Sequence, residues 1–162
     1  MTRQSVDYKL AKPHHGAHLA DMSKRLIEYG LPWWNWTPKR VTKAIRSPEQ
    51  IALLAVIDKR IAGFGLMQFG DEQAHLNLLA VEPEYRRLGL GKGMLEWLEE
   101  SCRIAGIIRI DLECRANNVS TIRFYSALGF DACSESRNYY CGRESAIRMQ
   151  KQLSALNFVQ QD

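Results

Sequence analysis

Three apolar stretches in close succession, followed by a helix-like segment, constrain the fold more than any other feature. Residues 51–57, 61–69 and 74–81 have strand length, and turn-forming residues separate them at 58–60 and 70–72. Residues 90–105 then repeat apolar side chains at helical intervals, and Gly106 follows as a stop signal. We therefore predict an antiparallel meander of three strands whose last strand leads into a buried amphipathic helix.

The flanking segments extend this core to a complete α/β pattern. We predict a strand at 6–10, a helix at 14–29, and a second short helix that opens at Thr37 and Pro38. A strand at 107–114, a helix capped by Asn117 or Asn118, and two extended segments after Phe130 follow. This order predicts an α/β (α+β) fold, a mixed and mostly antiparallel seven-stranded sheet flanked by about four helices. Because the chain has 162 residues, we expect a single domain over 1–162.

Composition excludes several function classes. Twenty-two Lys and Arg against 18 Asp and Glu give a net charge of +4 without a long run of like charges, which permits an anionic ligand without requiring nucleic acid. The longest apolar run is 51–57, and the start shows no signal-peptide pattern, so we expect a cytoplasmic protein with no membrane partner. The four cysteines form no CxxC pair and are interpreted as reduced thiols. His14 and His18 are interpreted as surface residues, and no metal is expected.

A glycine-rich turn, RRLGLGKG over residues 86–93, lies between the third meander strand and the helix. Glycines let backbone N–H groups approach a ligand, and a helix N-terminus carries a partial positive charge, so the turn is suited to phosphate. The spacing fits neither the GxxxxGK[ST] phosphate loop nor the GxGxxG dinucleotide fingerprint. A helix start softened by glycine, without a ligand, is the structural alternative.

Two motifs together resemble one enzyme family. Arg86-x-x-Gly89-x-Gly91 resembles the acyl-CoA pyrophosphate loop, [RQ]xxGx[GA], of the GNAT superfamily of N-acetyltransferases, and LECRANN through FYxxLGF over residues 112–130 is similar to its second signature. Cys114 and Thr121 depart from that pattern. The resemblance implies the GNAT fold, acetyl-CoA as cosubstrate and coenzyme A as product. It implies cofactor binding by Leu79, Ala80, Val81, Arg86, Arg87, Leu88, Gly89, Leu90, Gly91, Lys92, Asn118 and Tyr125.

Acetyl transfer to an amine needs a neutral amine, a stabilised oxyanion and a proton for the departing thiolate. Glu113 is the candidate base and Tyr125 the candidate acid, while backbone N–H groups around 79–81 can polarise the carbonyl. In the branch that acetylates protein α-amino groups, typified by the ribosomal-protein alanine N-acetyltransferases, the Glu and Tyr of this signature have these roles. Two alternatives remain open: Glu113 is a solvated strand residue and water acts as base, or Tyr125 is a core tyrosine.

The acceptor is predicted less directly. An α-amine titrates about 2.5 pH units below lysine, so a carboxylate base favours the α-amine by roughly 3.5 kcal/mol. Arg137-Asn138-Tyr139-Tyr140 and the following hairpin resemble the tail of the same branch, which implies that Tyr139 and Tyr140 line a groove for the acceptor peptide; Ser145 departs from the usual acidic residue.

Further candidates for acceptor binding are Trp33, Asn77 and Glu113. The tryptophans of 33–36 form either an apolar acceptor pocket or a seal over the core. His75, beside Asn77, either guides a water or makes a cross-strand hydrogen bond.

These observations predict an N-acetyltransferase that moves an acetyl group from acetyl-CoA directly to a primary amine, with a protein N-terminal α-amine as a candidate acceptor. A small-molecule amine acetyltransferase, a non-catalytic acyl-CoA-binding module and a ribosome- or RNA-associated protein are the alternatives. The sequence leaves a monomer and a homodimer equally open.

Overall fold

The computed structural model describes residues 5–140 and 144–153, with the side chains of 135–140 and 144 outside the description. Seven strands and four helices follow one another in the described chain. They are β1 (Asp7–Leu10), α1 (Gly16–Leu26), α2 (Pro38–Arg46), β2 (Gln50–Ile57), β3 (Arg60–Phe69), β4 (Gln73–Val81), α3 (Leu90–Ile104), β5 (Arg109–Arg115), α4 (Val119–Ala127), β6 (Asp131–Tyr140) and β7 (Glu144–Gln152). The hydrogen-bonded strand order is β1-β2-β3-β4-β5-β7-β6. This confirms the predicted mixed α/β architecture.

The described chain divides into two compact units. The first comprises residues 5–68 and 77–98, and the second comprises 69–76 and 99–153. Strand β4 and helix α3 each contribute residues to both units. The prediction of a single domain stays a prediction.

The first unit is built on the antiparallel pairs β1-β2 and β2-β3. Strands β2 and β3 join through a two-residue turn in which Asp58 and Lys59 both have positive φ, 49° and 63°, the backbone that matches the twist of a tight hairpin. Both strands are apolar along most of their length and are almost entirely buried, as expected for strands covered on both faces. Leu54, Phe64 and Leu78 belong to a core cluster that also includes residues of α1 and α2.

Helix α2 begins where its sequence predicts. The Thr37 side chain accepts a hydrogen bond from the backbone N–H of Arg40, and Pro38 occupies the first helical position, where its missing N–H costs nothing. The helix ends at Arg46, two residues before Pro48. Val41 and Ala44 are its buried residues, and Ile45 also packs against the core cluster, so a narrow apolar stripe holds the helix.

The second unit contains the C-terminal strands. β5 pairs with β7 and β7 with β6, both antiparallel, while the parallel pairing of β4 with β5 covers Gln73–His75 and Arg109–Asp111. Asn118 caps α4 by accepting from Thr121 N–H at 3.2 Å, and Gly106, with φ of 82°, follows α3. Val119, the first residue of α4, is 56% exposed. Of the helices in the described part of the chain, none combines the length and apolar character that crossing a membrane requires.

Candidate active site

The glycine-rich turn lies in the first unit, between the end of β4 and the start of α3. Gly93 donates the first hydrogen bond of α3, to the Gly89 carbonyl at 2.9 Å. The N–H groups of Leu90, Gly91 and Lys92 precede that bond and therefore have no partner within the helix. Three open donors at the positive end of a helix of 15 residues are suited to an anion.

The backbone of this turn is left-handed at two positions. Arg87 has φ of 68° and Gly89 has φ of 77°. Glycine adopts this conformation freely, whereas a residue with a Cβ is strained there by about 1 to 2 kcal/mol. Strain at Arg87, retained in an exposed loop, is typical of a segment shaped for binding.

Some side chains of the turn anchor it to the rest of the first unit, and others are exposed to solvent. Leu90 is 2% exposed and packs with Ile57 and Ala62, so that only its backbone is available. Arg86 Nε donates to the Val81 carbonyl at 3.4 Å and ties the loop to β4. Leu88 and the cationic Arg87 and Lys92 are exposed. The turn thus offers backbone donors and positive charge, which fits a pyrophosphate group.

At Ala80, near the end of β4, the buried side chain leaves only backbone groups for a ligand. Ala80 is buried in the core cluster, and a Cβ on Gly63 of β3 would lie 2.8 Å from the Ala80 carbonyl oxygen. The close approach of β3 therefore requires glycine there. Leu79 and Val81 alternate with Ala80 and are only half-buried, and the contact of their backbone with a bound acyl chain stays a prediction.

Glu113, the candidate base, lies in the second unit on β5. Its side chain is 19% exposed, and its carboxylate makes a short hydrogen bond with Nε2 of His75 on β4. Of the two interpretations of His75, the cross-strand hydrogen bond is the one observed. Its partner is the residue predicted to carry the proton chemistry, so the cross-strand bond itself lies in the candidate site.

Arg109 and Arg148 both pair with the Asp111 carboxylate and not with that of Glu113. Asp111, 4% exposed, forms ion pairs with Arg109 at 3.0 Å and with Arg148 at 3.2 Å. Arg148 is the β7 residue opposite Glu113 in the sheet, yet its guanidinium pairs with Asp111. The Glu113 side chain hydrogen-bonds to His75, and Arg148, its neighbour across the β5–β7 pair, pairs with Asp111 instead.

Cys114, next to Glu113, is a poor nucleophile in this setting. Burial raises the pKa of the Cys114 thiol, and the neighbouring Glu113 carboxylate raises this pKa further. A thiol that stays protonated at neutral pH does not form an acyl-enzyme readily. The site therefore favours direct transfer over a covalent cysteine intermediate.

Tyr125, the candidate acid, lies on α4 and is 8% exposed. Its ring packs edge-on against Phe124 and Phe130, with ring centroids 5.1 and 5.5 Å away. These contacts fix the ring and fit the core-tyrosine alternative as well as the catalytic one. Tyr125 and Glu113 make no hydrogen bond with each other among the described residues.

The other predicted residues have mixed outcomes. Asn118 uses its Oδ1 atom as the α4 cap, so its expected contact with the pantetheine arm stays a prediction. Trp33 is 66% exposed, whereas Trp34 and Trp36 pack against the core cluster, so two of the three tryptophans seal the core. Tyr139 and Tyr140 lie on β6, but their side chains are outside the described residues.

Glu28, which was not predicted from the sequence, organises residues 33–36, here called the tryptophan loop. Glu28 is 7% exposed and accepts hydrogen bonds from Ser23 Oγ at 2.9 Å and from the backbone N–H groups of Asn35 and Trp36 at 2.8 and 3.2 Å. An acidic residue at the end of an amphipathic helix gave no signal of this role. In the part of the chain that the structure describes, no group of three or more His, Cys, Asp or Glu side chains is placed to hold a metal ion.

The acetyltransferase (GNAT) family model matches residues 15–130, which is more than half of the chain, so this chain belongs to the GNAT family. Among curated relatives, the ribosomal protein bS18 alanine N-acetyltransferase of Salmonella typhimurium is 39% identical over 95 residues, which cover 57% of this chain and 64% of that protein. The match thus spans less than two thirds of the relative's own length.

Two solved structures extend the comparison. The crystal structure of the ribosomal-protein-S18-alanine N-acetyltransferase from Escherichia coli is similar with a TM-score of 0.80 and 27% identity, covering 93% of this chain and 95% of that one. A Bacillus anthracis str. Ames protein solved in complex with acetyl coenzyme A has a TM-score of 0.64 and 27% identity, covering 69% of this chain and 67% of that one.

Proposed function

We propose that this protein is a cytoplasmic N-acetyltransferase that moves the acetyl group of acetyl-CoA directly to a primary amine, with a protein N-terminal α-amine as acceptor. The observation that carries the proposal is the half-buried Glu113 carboxylate, hydrogen-bonded to His75 while Arg148, opposite Glu113 in the sheet, pairs with Asp111. A carboxylate paired with an arginine is a weaker base, because the guanidinium stabilises its charged form. Glu113 is not paired with Arg148 and exchanges its proton while hydrogen-bonded to His75.

Acetyl-CoA supplies an activated acetyl thioester. The open N–H groups at the start of α3 and the cations Arg87 and Lys92 bind its pyrophosphate, and Arg86 fixes the loop by its bond to Val81. Backbone groups of 79–81 orient the acyl arm and polarise its carbonyl. These roles follow from the donors and charges present on the first unit.

The residues of the second unit account for the protons. Glu113, hydrogen-bonded to His75, accepts a proton from the ammonium form of the acceptor, and the neutral amine then forms the new C–N bond. As the C–S bond breaks, the thiolate takes a proton from the Tyr125 hydroxyl. The second proton lost from nitrogen restores that hydroxyl, and Glu113 releases the first proton to solvent, so the products are the amide, the coenzyme A thiol and one proton. Atoms and charge balance without a metal or a covalent enzyme intermediate.

Relatives support the choice of acceptor. The Salmonella relative is named an alanine N-acetyltransferase of ribosomal protein bS18. An α-amine also needs about 3.5 kcal/mol less for deprotonation than a lysine side chain at neutral pH, which suits a carboxylate base.

The experiment that tests the proposal measures thiol release from acetyl-CoA with a peptide that has a free N-terminus, the same peptide with a blocked N-terminus and an internal lysine, and a polyamine. We expect turnover with the free N-terminus alone and a loss of at least a hundredfold in the Glu113→Gln variant. Turnover with the polyamine alone would move the acceptor to small amines. Saturable coenzyme binding without thiol release from any acceptor would contradict the enzyme assignment.

A further inference from the structure

A cavity of the first unit lies beside helix α2, and no residue of the glycine-rich turn lines it. Its volume is about 290 Å³. Its lining comes from the tryptophan loop, α2 and the strands β2, β3 and β4. These residues are Trp36, Arg40, Lys43, Ala44, Ser47, Gln50, Gln68 and Asn77. The lining contains two cations and no carboxylate.

Arg40 is held in position at the edge of this cavity. Its guanidinium stacks on the Trp36 ring, 3.8 Å from the ring centroid, and Nη1 lies 3.5 Å from the Asn35 carbonyl. Stacking orders the planar guanidinium while leaving its edge N–H groups available, and those donors match the geometry of a carboxylate. Lys43 lies three residues further along the same helix and is exposed.

Helix α2 carries positive charge that nothing nearby neutralises. It contains Lys39, Arg40, Lys43 and Arg46 and no acidic residue, and none of the four forms an ion pair with a described residue. In contrast, Arg25 on α1 pairs with Asp21 and Glu82, and on α3 Lys92 and Arg103 each pair with a glutamate of the same helix.

Lys39 and Arg40 also lie in the first turn of α2, where the helix dipole disfavours positive charge. A helix that keeps this arrangement is complementary to an anion supplied from outside the chain.

We propose that this cavity binds an acidic side chain of the acceptor, so that the acceptor class is a peptide with Asp or Glu at its second or third position. The inference rests on the proposed function and adds a specificity site to it. Asn77 lines the cavity and precedes Leu79 by two residues on β4, a distance of about 7 Å along an extended strand. Since an extended peptide advances about 3.3 Å per residue, the second and third residues lie about 3.3 and 6.6 Å beyond the first, and their side chains reach the cavity.

The test uses pairs of otherwise identical free N-terminal peptides with Glu or Gln at the second position, and a further pair at the third. For the wild-type protein we expect kcat/KM to favour Glu over Gln by about five- to tenfold in one of the pairs at low salt, with the preference falling as salt rises. Lys43→Gln should reduce the preference to twofold or less, and Arg40→Gln should do the same. Lys39→Gln is the matched control, because Lys39 is exposed on the same helix but does not line the cavity, and it should retain the preference.

A binding measurement keeps the inference separate from the proposed activity. N-acetylated forms of the same peptides cannot be acetylated, so their affinity, followed by calorimetry, does not depend on turnover. We expect Glu peptides to bind about fivefold more tightly than Gln peptides, and Lys43→Gln to abolish the difference.

Equal affinities within both pairs, or an equal loss in Lys39→Gln, would overturn the proposal even if the protein is an active acetyltransferase. Binding of a single-stranded RNA that Lys43→Gln weakens, with no peptide preference, would overturn it in favour of a nucleic-acid surface. Conversely, an inactive protein that retains the Glu preference would contradict the proposed function alone.

Discussion

The glycine-rich turn of the first unit and the Glu113–His75 pair of the second unit are built in different ways. The turn uses backbone: consecutive N–H groups at a helix start, with left-handed backbone at Arg87 and Gly89. The pair uses side chains that are 38 positions apart in sequence. A backbone site depends on conformations that few residues adopt, so it is encoded in a short motif. A side-chain site depends on partners that several strands bring together.

The largest expected effect comes from Tyr125→Phe, because this change should slow acetyl transfer without weakening the binding of coenzyme A. Tyr125→Phe removes the hydroxyl and keeps the ring contacts with Phe124 and Phe130, so we expect kcat to fall by at least a hundredfold. The dissociation constant of coenzyme A should stay within twofold of the wild-type value. Steady-state thiol release and calorimetry measure the two quantities, and unchanged kcat would leave Tyr125 a core residue.

His75→Asn tests whether the side-chain pair acts as a unit. We expect a loss of about tenfold in kcat, because Glu113 loses its hydrogen-bond partner and its partly buried charge is less well solvated. Coenzyme affinity should not change. The pH dependence of kcat should also shift relative to wild type, a readout that a purely structural role for His75 would leave unmoved.

Gly89→Ala disturbs the backbone site alone. Its φ of 77° is unfavourable for alanine although no atom would lie within 4 Å of the new Cβ, so we expect coenzyme A to bind about five- to tenfold more weakly while kcat at saturation changes little. Gly106→Ala is the matched control, since Gly106 has φ of 82° and equally open surroundings. It should cost similar stability and leave coenzyme affinity intact. Equal weakening in both variants would mean that the effect is on folding.

The smallest effect is expected at Glu28, whose carboxylate holds the backbone of the tryptophan loop. Glu28→Gln keeps the volume but replaces a carboxylate that accepts three hydrogen bonds, so urea denaturation should show a loss of about 1 to 2 kcal/mol. The KM for a peptide should rise a few fold without a matching change in kcat, because the tryptophan loop loses order. A change in kcat alone would contradict this positioning role.

How much the sequence predicts follows from the same contrast. The strands β2 to β4, the start of α2 at Thr37 and the cap at Asn118 follow from local pattern, because alternation, apolar runs and capping side chains act over a few residues. Glu113 and Tyr125 were identified by a motif. The roles of Asp111 and Arg148 were beyond reach, since neither sequence spacing nor charge shows which carboxylate an arginine on another strand will choose.

The cavity beside α2 marks a signal that the sequence did contain. An acid-free helix with Arg40 and Lys43 three residues apart, preceded by Trp36, is a pattern that predicts a cationic face. The enclosing residues Gln50, Gln68 and Asn77 come from three strands, so only the folded chain shows that this face borders a cavity.

The most direct test of the division of labour is a paired measurement of coenzyme A affinity and of the single-turnover rate of acetyl transfer to a free N-terminal peptide. It is made on the wild-type, Gly89→Ala and Tyr125→Phe proteins. We expect each variant to change one of the two quantities. Gly89→Ala should bind coenzyme A more weakly and transfer the acetyl group at nearly the wild-type rate when saturated. Tyr125→Phe should bind coenzyme A normally and transfer the acetyl group at least a hundredfold more slowly. A Tyr125→Phe protein that transfers at the wild-type rate, or a Gly89→Ala protein with unchanged affinity, would contradict this division of labour.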